Sequence, residues 1–192
     1  MELEIIKQLR EKTGAGILEC QQTLKEANND IEKAVELLRK KGEKIMAKKQ
    51  TRTVNEGIVE SYIHNNRKIG VLLELVCETD FVARNKEFQE LAHDLAMQIA
   101  ATDPQWLKIE DVPEDIVSKE KEIAQASLPQ DKPEEVKEKI LQGKLEKFYN
   151  QFCLLEQNFI KDETKKIIDL IQEKIAKLGE NIQVKRFIRF QL

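Results

Sequence analysis

The sequence has few of the residues from which metal, redox and disulfide sites are built. It contains 3 cysteines and 2 histidines in 192 residues. Cys20, Cys77 and Cys153 are odd in number and far apart, which indicates reduced thiols in a reducing compartment rather than a disulfide framework. Neither His64 nor His93 has a cysteine or histidine at zinc-ligand spacing, so we expect no metal site and assign both to solvated or capping positions.

Long apolar runs and an excess of one charge are also missing. No apolar stretch approaches the roughly 20 residues needed to cross a bilayer, and the acidic start Met1–Ile6 is unlike a signal or transit peptide. The formal net charge of -3 gives no general attraction to nucleic acid or to an anionic membrane. We therefore expect a protein that works in the compartment where it is made, with no membrane and no direct nucleic-acid partner.

Glycine is scarce as well, with 7 in the chain, and two of them flank Ala15 as Gly14 and Gly16. A phosphate-binding loop would need a strand before this pair and Gly-Lys-Ser/Thr after it, and both are missing. We interpret the pair as a turn between helices, which can still be a contact surface. No nucleophile stands beside a base either, so the sequence predicts no enzyme, no catalytic residue and no cofactor.

The sequence does contain a charged, helix-rich composition, with 35% charged and 41% hydrophobic residues. Its length allows one medium domain or two small ones. Three short helical patterns occupy residues 1–42, separated by Thr13–Gly16 and Asn28–Asp30, with Asp30 as a helix cap and Gly42 as a stop. These features predict a small three-helix domain at residues 1–42.

A basic stretch follows, from Arg39 to Arg52, and we interpret residues 43–55 as a linker. Its positive charge could bind RNA, but it lacks the interleaved aromatic residues of a single-strand platform. A solvated helix face and hinge is the simpler interpretation. An RNA- or ribosome-associated helical binding protein remains the alternative function.

The patterns in residues 56–192 predict an antiparallel sheet with flanking helices, and therefore an α+β class. Strands are expected at Gly57–Ile63 and Lys68–Cys77, joined by a turn whose asparagines tolerate positive φ. An apolar stripe predicts a helix over Asn85–Ala101, and period-two alternation predicts a strand over Ile182–Phe190. Three further helices are expected: one after Pro113, one over Glu134–Phe148 with a break at Gly143, and one capped by Thr164 that ends at Gly179.

The junction between the second strand and the following helix is the most informative segment. Thr79, Asp80, Phe81 and Val82 place a carboxylate and a large aromatic ring side by side at this junction. In one interpretation Asn85 caps the helix and Phe81 is tucked under the sheet. In the other, the junction presents Asp80 and Phe81 to a partner, and the residues alone favour the first slightly.

Several ordered motifs resemble the translation elongation factor Ts family. The closest is CETDFVARN at residues 77–85, with IKQLREKTGAGILEC at 6–20 and ANNDIEKAV at 27–35. Further matches are GKLEKF at 143–148, LLEQNF at 154–159 and the tail from Gly179 to Phe187. The resemblance therefore covers nearly the whole chain.

This resemblance implies a guanine-nucleotide exchange factor for elongation factor Tu, binding its GDP-bound and nucleotide-free forms. It implies a ubiquitin-associated-like bundle at residues 1–42 and a dimerisation-type core at 56–192. In the family, residues matching Asp80 and Phe81, within Thr79–Val82, intrude near the partner's magnesium and phosphate site. Residues matching Arg10, Ile17 and Leu18 touch its nucleotide-binding domain.

The chain looks like a short form of the family, in which one sheet-bearing half is missing. The helical hairpin typical of longer members is not evident in the sequence. Short forms compensate by dimerising, so the resemblance also implies a homodimer. We expect the bacterial cytoplasm as the compartment, or a plastid if the chain is organelle-encoded.

Overall fold

The computed structural model describes residues 2–13, 16–38, 49, 51–129 and 133–192. These residues fall into two compact units, Met1–Thr53 with Ile175–Asn181, and Val54–Lys174 with Ile182–Leu192. Gly14, Gly42 and most of the predicted linker lie outside the described residues. The predicted domain boundaries at residues 42 and 55 stay predictions.

The first unit opens with helices α1 (Glu2–Thr13), α2 (Ile17–Glu26) and α3 (31–38). Their apolar faces form one buried cluster, which contains Ile6, Leu9, Cys20, Leu24, Ala27, Ala34 and Leu38. Asn28 and Asn29 make the turn before α3 with φ of 54° and 62°. Asp30 then caps α3, because its Oδ1 accepts hydrogen bonds from the backbone amides of Glu32 at 3.0 Å and Lys33 at 3.1 Å, as predicted.

The second unit is built on an antiparallel sheet in the order β1 (Glu56–Ile63), β2 (Ile69–Cys77) and β5 (Ile182–Gln191). The α+β class is thereby confirmed. The turn between β1 and β2 uses positive φ at Arg67, with φ of 57°, rather than at an asparagine. Asn66 instead accepts a hydrogen bond from the backbone amide of Lys68 at 2.9 Å.

Helix α5 (Lys86–Thr102) covers one face of this sheet. It follows a single helical turn, α4 (Asp80–Ala83), that the sequence did not predict. The buried stripe of α5 contains Phe88, Leu91, Leu95 and Ile99, and it meets buried side chains of β2, including Val71, Leu73 and Leu75. Asp103, with φ of 49°, ends the helix just before Pro104.

Further α-helices among the described residues are α6 (Glu114–Ala126), α7 (Glu134–Phe152) and α8 (Ile167–Leu178). The predicted break at Gly143 is wrong, since α7 runs through it to Phe152, supported by good helix formers on both sides. Ser127, the residue after α6, contacts Lys144 of α7. Both residues line a cavity that also contains Glu120, earlier in α6, and Gln151, later in α7. The two helices therefore run antiparallel and form a hairpin, although no helical hairpin was evident in the sequence.

Thr164 does not cap α8, contrary to prediction. It lies in strand β4 (Asp162–Lys166), which pairs with β3 (Asn158–Phe159), and its hydroxyl donates to Asp162 Oδ1 at 2.6 Å. The carboxylate of Asp169 accepts from the backbone amide of Lys166 at 3.3 Å instead, at the position where α8 begins. The prediction rested on residue type alone. It failed because Thr164 belongs to a β-hairpin whose strands are too short to produce a recognisable sequence pattern.

Two buried glutamines hold the β3–β4 hairpin against α5. Gln98 donates from Nε2 to Gln157 Oε1 and to the carbonyl of Asn158, both at 3.1 Å, and accepts at Oε1 from the amide of Ile160 at 2.9 Å. Buried polar groups are costly unless they are paired, and these are paired at both ends of the Gln98 amide. The network fixes the hairpin at the end of α5.

Strand β5 contains a bulge opposite Glu74. Arg186 pairs with Glu74 and Val184 pairs with Leu75, so Lys185 is an extra residue. Lys185 Nζ reaches Glu74 Oε1 at 2.8 Å and Arg186 Nε reaches Oε2 at 2.7 Å. The hydrogen bonds from Lys185 and then Arg186 hold the pKa of the Glu74 carboxyl below its usual value.

Candidate functional site

A capping residue stands on each side of the turn at Thr79–Val82. Thr79 is extended, with φ of -129° and ψ of 157°, and its hydroxyl accepts from the amide of Val82 at 3.5 Å. Arg84 ends the turn, and Asn85 caps α5, accepting at Oδ1 from the amide of Glu87 at 2.8 Å. The predicted cap at Asn85 is confirmed, and the two capping residues mark the ends of the segment that contains Phe81.

Side chains on this turn differ sharply in exposure. Phe81 is 82% exposed, whereas Val82 and Ala83 are 9% and 6% exposed. The interpretation that tucked Phe81 under the sheet is therefore wrong. Val82 and Ala83 pack into the interior, whereas Phe81 projects from the turn into solvent.

Asp80 and Arg84 form an ion pair on the exposed side of the same turn. Arg84 Nη2 lies 3.1 Å from Asp80 Oδ2, with side chains 80% and 46% exposed. A pair this exposed contributes little to folding stability. Both charges thus remain able to exchange their partner for groups on another molecule.

The other predicted contact residues lie in the first unit. Ile17 and Leu18 open α2 after Gly16 and are 56% and 74% exposed, while Cys20, Thr23 and Leu24 of the same helix are buried. Arg10 lies exposed on α1. Two neighbouring aliphatic side chains in water at a helix start suit contact with another protein.

Sequence reasoning missed a second apolar surface, on the sheet face opposite α5. We call it the open sheet face; its exposed apolar members are Val59, Ile63, Leu72, Ile188 and Phe190. Strand register places Leu72 between Ser61 and Ile188, and Gly70 between Ile63 and Phe190. The signal was in the sequence: the apolar run of β2, which contains one charged residue at Glu74, is typical of a strand covered on both faces.

All three cysteine side chains are buried, and none of them forms a disulfide. Burial, followed by the charges of Glu156, Asp111 and Glu110, raises the pKa of the Cys153 thiol to about 11. That thiol is therefore protonated at neutral pH, and a thiol is a poor nucleophile compared with a thiolate.

The histidines lie at the surface of the second unit. His93 Nδ1 is 3.1 Å from Glu60 Oε1, and His64 Nδ1 is 3.2 Å from the hydroxyl of Tyr62. Within the described ranges no three His, Cys, Asp or Glu side chains come together as a metal site. In the same ranges, no helix combines the length and apolar character of a bilayer span.

Comparison with known proteins fits these observations. The sequence model described as "Elongation factor TS" matches residues 3–192. Elongation factor Ts of Thermotoga maritima is 58% identical over 190 residues, covering 99% of this chain and 95% of that protein. Those of Thermodesulfovibrio yellowstonii and Moorella thermoacetica are 56% and 55% identical, covering 98% and 97% of this chain.

The α+β fold and the matches define the class: this chain is a translation elongation factor. More particularly, it belongs to the elongation factor Ts family. The chain also covers 94% of the Thermodesulfovibrio protein and 93% of the Moorella protein, so these relatives are of nearly the same length. The resemblance identified from residues 77–85 and the N-terminal motifs is thereby confirmed.

Proposed function

We propose that this protein is a guanine-nucleotide exchange factor that promotes release of GDP from elongation factor Tu. The observation that carries the proposal is Phe81, a ring 82% exposed on a turn whose next two side chains are buried. An exposed aromatic residue held on a rigid element loses little entropy when it binds. Family membership supplies the partner.

Exchange of this kind needs no covalent step. The factor must bind nucleotide-free elongation factor Tu more tightly than the GDP-bound form, and by reciprocity the same coupling weakens GDP binding. Burying the ring of Phe81 in the partner would contribute about 1.5–3 kcal/mol to that coupling. Asp80 would exchange its pairing with Arg84 for donors near the magnesium and phosphates of the partner.

Release of a fluorescent GDP from elongation factor Tu, measured by stopped flow with and without this protein, tests the proposal. We expect release to accelerate and to saturate with protein concentration. Unchanged release would contradict it. Salt-dependent RNA binding combined with unchanged release would point instead to an RNA- or ribosome-associated protein.

We assign Ile17 and Leu18, with Arg10, to an anchor that binds the nucleotide-binding domain of the partner. Replacing both Ile17 and Leu18 by alanine should weaken binding about 10- to 100-fold, since two aliphatic side chains lose their buried contacts. The melting temperature should stay close to wild type, because both side chains are exposed in the free protein. Isothermal calorimetry with nucleotide-free elongation factor Tu measures the affinity.

The matched control is Lys25→Ala, an exposed position on the same helix. It should bind as wild type does. Wild-type affinity in the Ile17→Ala/Leu18→Ala variant would exclude these side chains as the anchor.

We further propose a homodimer that forms through the open sheet face. The opposite face of the sheet is covered by α5, while Leu72, Ile188 and Phe190 are 46%, 49% and 61% exposed. Contiguous apolar surface of this kind is typical of protein contacts. Two copies of one face can meet about a two-fold axis, the commonest arrangement of soluble oligomers.

Introducing lysine at both Leu72 and Ile188 should convert the dimer to a monomer, because the charges would be buried without partners. Sedimentation equilibrium measures the change, with Val136→Lys, an exposed apolar position on α7, as control. A wild-type protein that sediments as a monomer, or a double variant that stays dimeric, would contradict the proposal.

We place the protein in the bacterial cytoplasm. The relatives named above come from bacteria. A plastid-encoded origin is the alternative.

A further inference from the structure

Helix α4 is too short to fix the direction of Phe81 by itself. It has 4 residues, fewer than are needed for a helix to be stable in isolation. The capping bond from Val82 to the Thr79 hydroxyl is 3.5 Å long, beyond the usual range for a backbone amide donor. The orientation of the turn must therefore come from its attachment to the rest of the unit.

Cys77 provides such an attachment from inside the protein. It is fully buried at the end of β2, the central strand, where it pairs with Glu56 of β1 and Ile182 of β5. Its thiol donates a hydrogen bond to the carbonyl oxygen of Thr79, with Sγ and O 3.2 Å apart. The side chain thus joins the central strand of the sheet to the first residue of the turn.

The Thr79 carbonyl accepts a second hydrogen bond, from the amide of Ala83 at 3.2 Å. That bond closes the helical turn that contains Phe81. One carbonyl therefore connects the thiol of Cys77 on the sheet side with the turn on the exposed side. Loss of the thiol donor would let this carbonyl rotate, and the turn would rotate with it.

We propose that Cys77 is a positioning residue of the exchange site, whose thiol sets the direction in which Phe81 projects. The inference rests on the proposed exchange function. Because Cys77 is 0% exposed, it acts through Thr79 rather than by touching the partner. Without the thiol, the ring would project in another direction. The protein would still dock through its other contacts but would distort the partner less. Loss of the thiol therefore lowers the rate of GDP release rather than the affinity.

The test compares Cys77→Val, which removes the donor and stays apolar, with Cys77→Ser, which keeps a donor. Cys77→Val should lower the maximal rate of GDP release about three- to tenfold, as expected for one modest hydrogen bond. The concentration giving half-maximal release should change less than about twofold. Cys77→Ser should restore the maximal rate to within about twofold of wild type.

Cys153→Val is the matched control, since Cys153 is also fully buried but lies after α7 rather than beside the turn. It should release GDP at the wild-type rate. If Cys77→Val does not fold, Cys77→Ala is measured in its place against the same criterion.

Three results would overturn the assignment: a wild-type maximal rate without the thiol, a serine variant as slow as the valine variant, or an equal loss in Cys153→Val. Failure of the wild-type protein to accelerate release would overturn the exchange function itself, together with this inference. The wild-type trace therefore separates the two failures.

Discussion

Replacing Phe81 by alanine is expected to reduce the acceleration of GDP release by about one to two orders of magnitude, while the protein stays folded. The ring would contribute about 1.5–3 kcal/mol when buried in the partner, and each 1.4 kcal/mol is a factor of ten. In the free protein the ring is 82% exposed, so its removal leaves no cavity. Stopped-flow release and urea unfolding of the same preparation measure both quantities.

The control for this experiment is Ile123→Ala, another exposed apolar side chain of the second unit. It should leave release and stability unchanged. Wild-type release from the Phe81→Ala variant would contradict the role assigned to the ring. Extensive unfolding of that variant would show instead that the ring is a core residue.

Replacing Phe88, only seven residues further along, is expected to have the opposite outcome. Phe88 is 0% exposed in the stripe of α5 that packs on the sheet. Truncating a buried phenylalanine to alanine costs about 3–5 kcal/mol, since transfer energy is lost and a cavity remains. The urea midpoint should fall accordingly, measured by far-ultraviolet circular dichroism.

Gln89→Ala is the neighbouring control, because Gln89 is exposed on the same helix. Its midpoint should match wild type. Any release defect of Phe88→Ala should follow the unfolded fraction and disappear under conditions where the variant is fully folded. A loss of stability below about 1 kcal/mol would contradict the packing described for α5.

The elements that sequence analysis placed well are those with strong local signals. The stripe through Phe88, Leu91, Leu95 and Ile99 is long enough to fix α5, and alternation fixes β5. The cap at Asn85 was also predicted, because asparagine just before a run of apolar residues with helical period is a favoured N-cap.

The features that were missed depend on distant partners. Nothing local distinguishes Thr164 as a strand residue, because β3 has only 2 residues and its pairing is set by buried Gln98 and Gln157. The exposure of Phe81 is of the same kind. A large apolar residue at a strand–helix junction is normally buried. Phe81 is exposed instead because Val82 and Ala83 occupy the buried side of the turn.

The open sheet face shows a different limit. Apolar residues on both sides of β2 could be detected in the sequence, but what covers each side depends on the arrangement of whole elements. The structure places α5 on one side of the sheet. Ile188 and Phe190 complete the other side because the register of β5 brings them beside Leu72 and Gly70.

The bulge in β5 has a consequence for how this sheet meets other chains. β5 is an outer strand of the described sheet, so its backbone N–H and C=O groups could pair with a strand of another chain. Such pairing is a known route to aggregation. The extra residue Lys185 interrupts that regular edge, and the neighbouring charges of Lys185 and Arg186 oppose an approaching apolar strand. Growth of the sheet strand by strand is therefore disfavoured at this edge, while its face stays open to association.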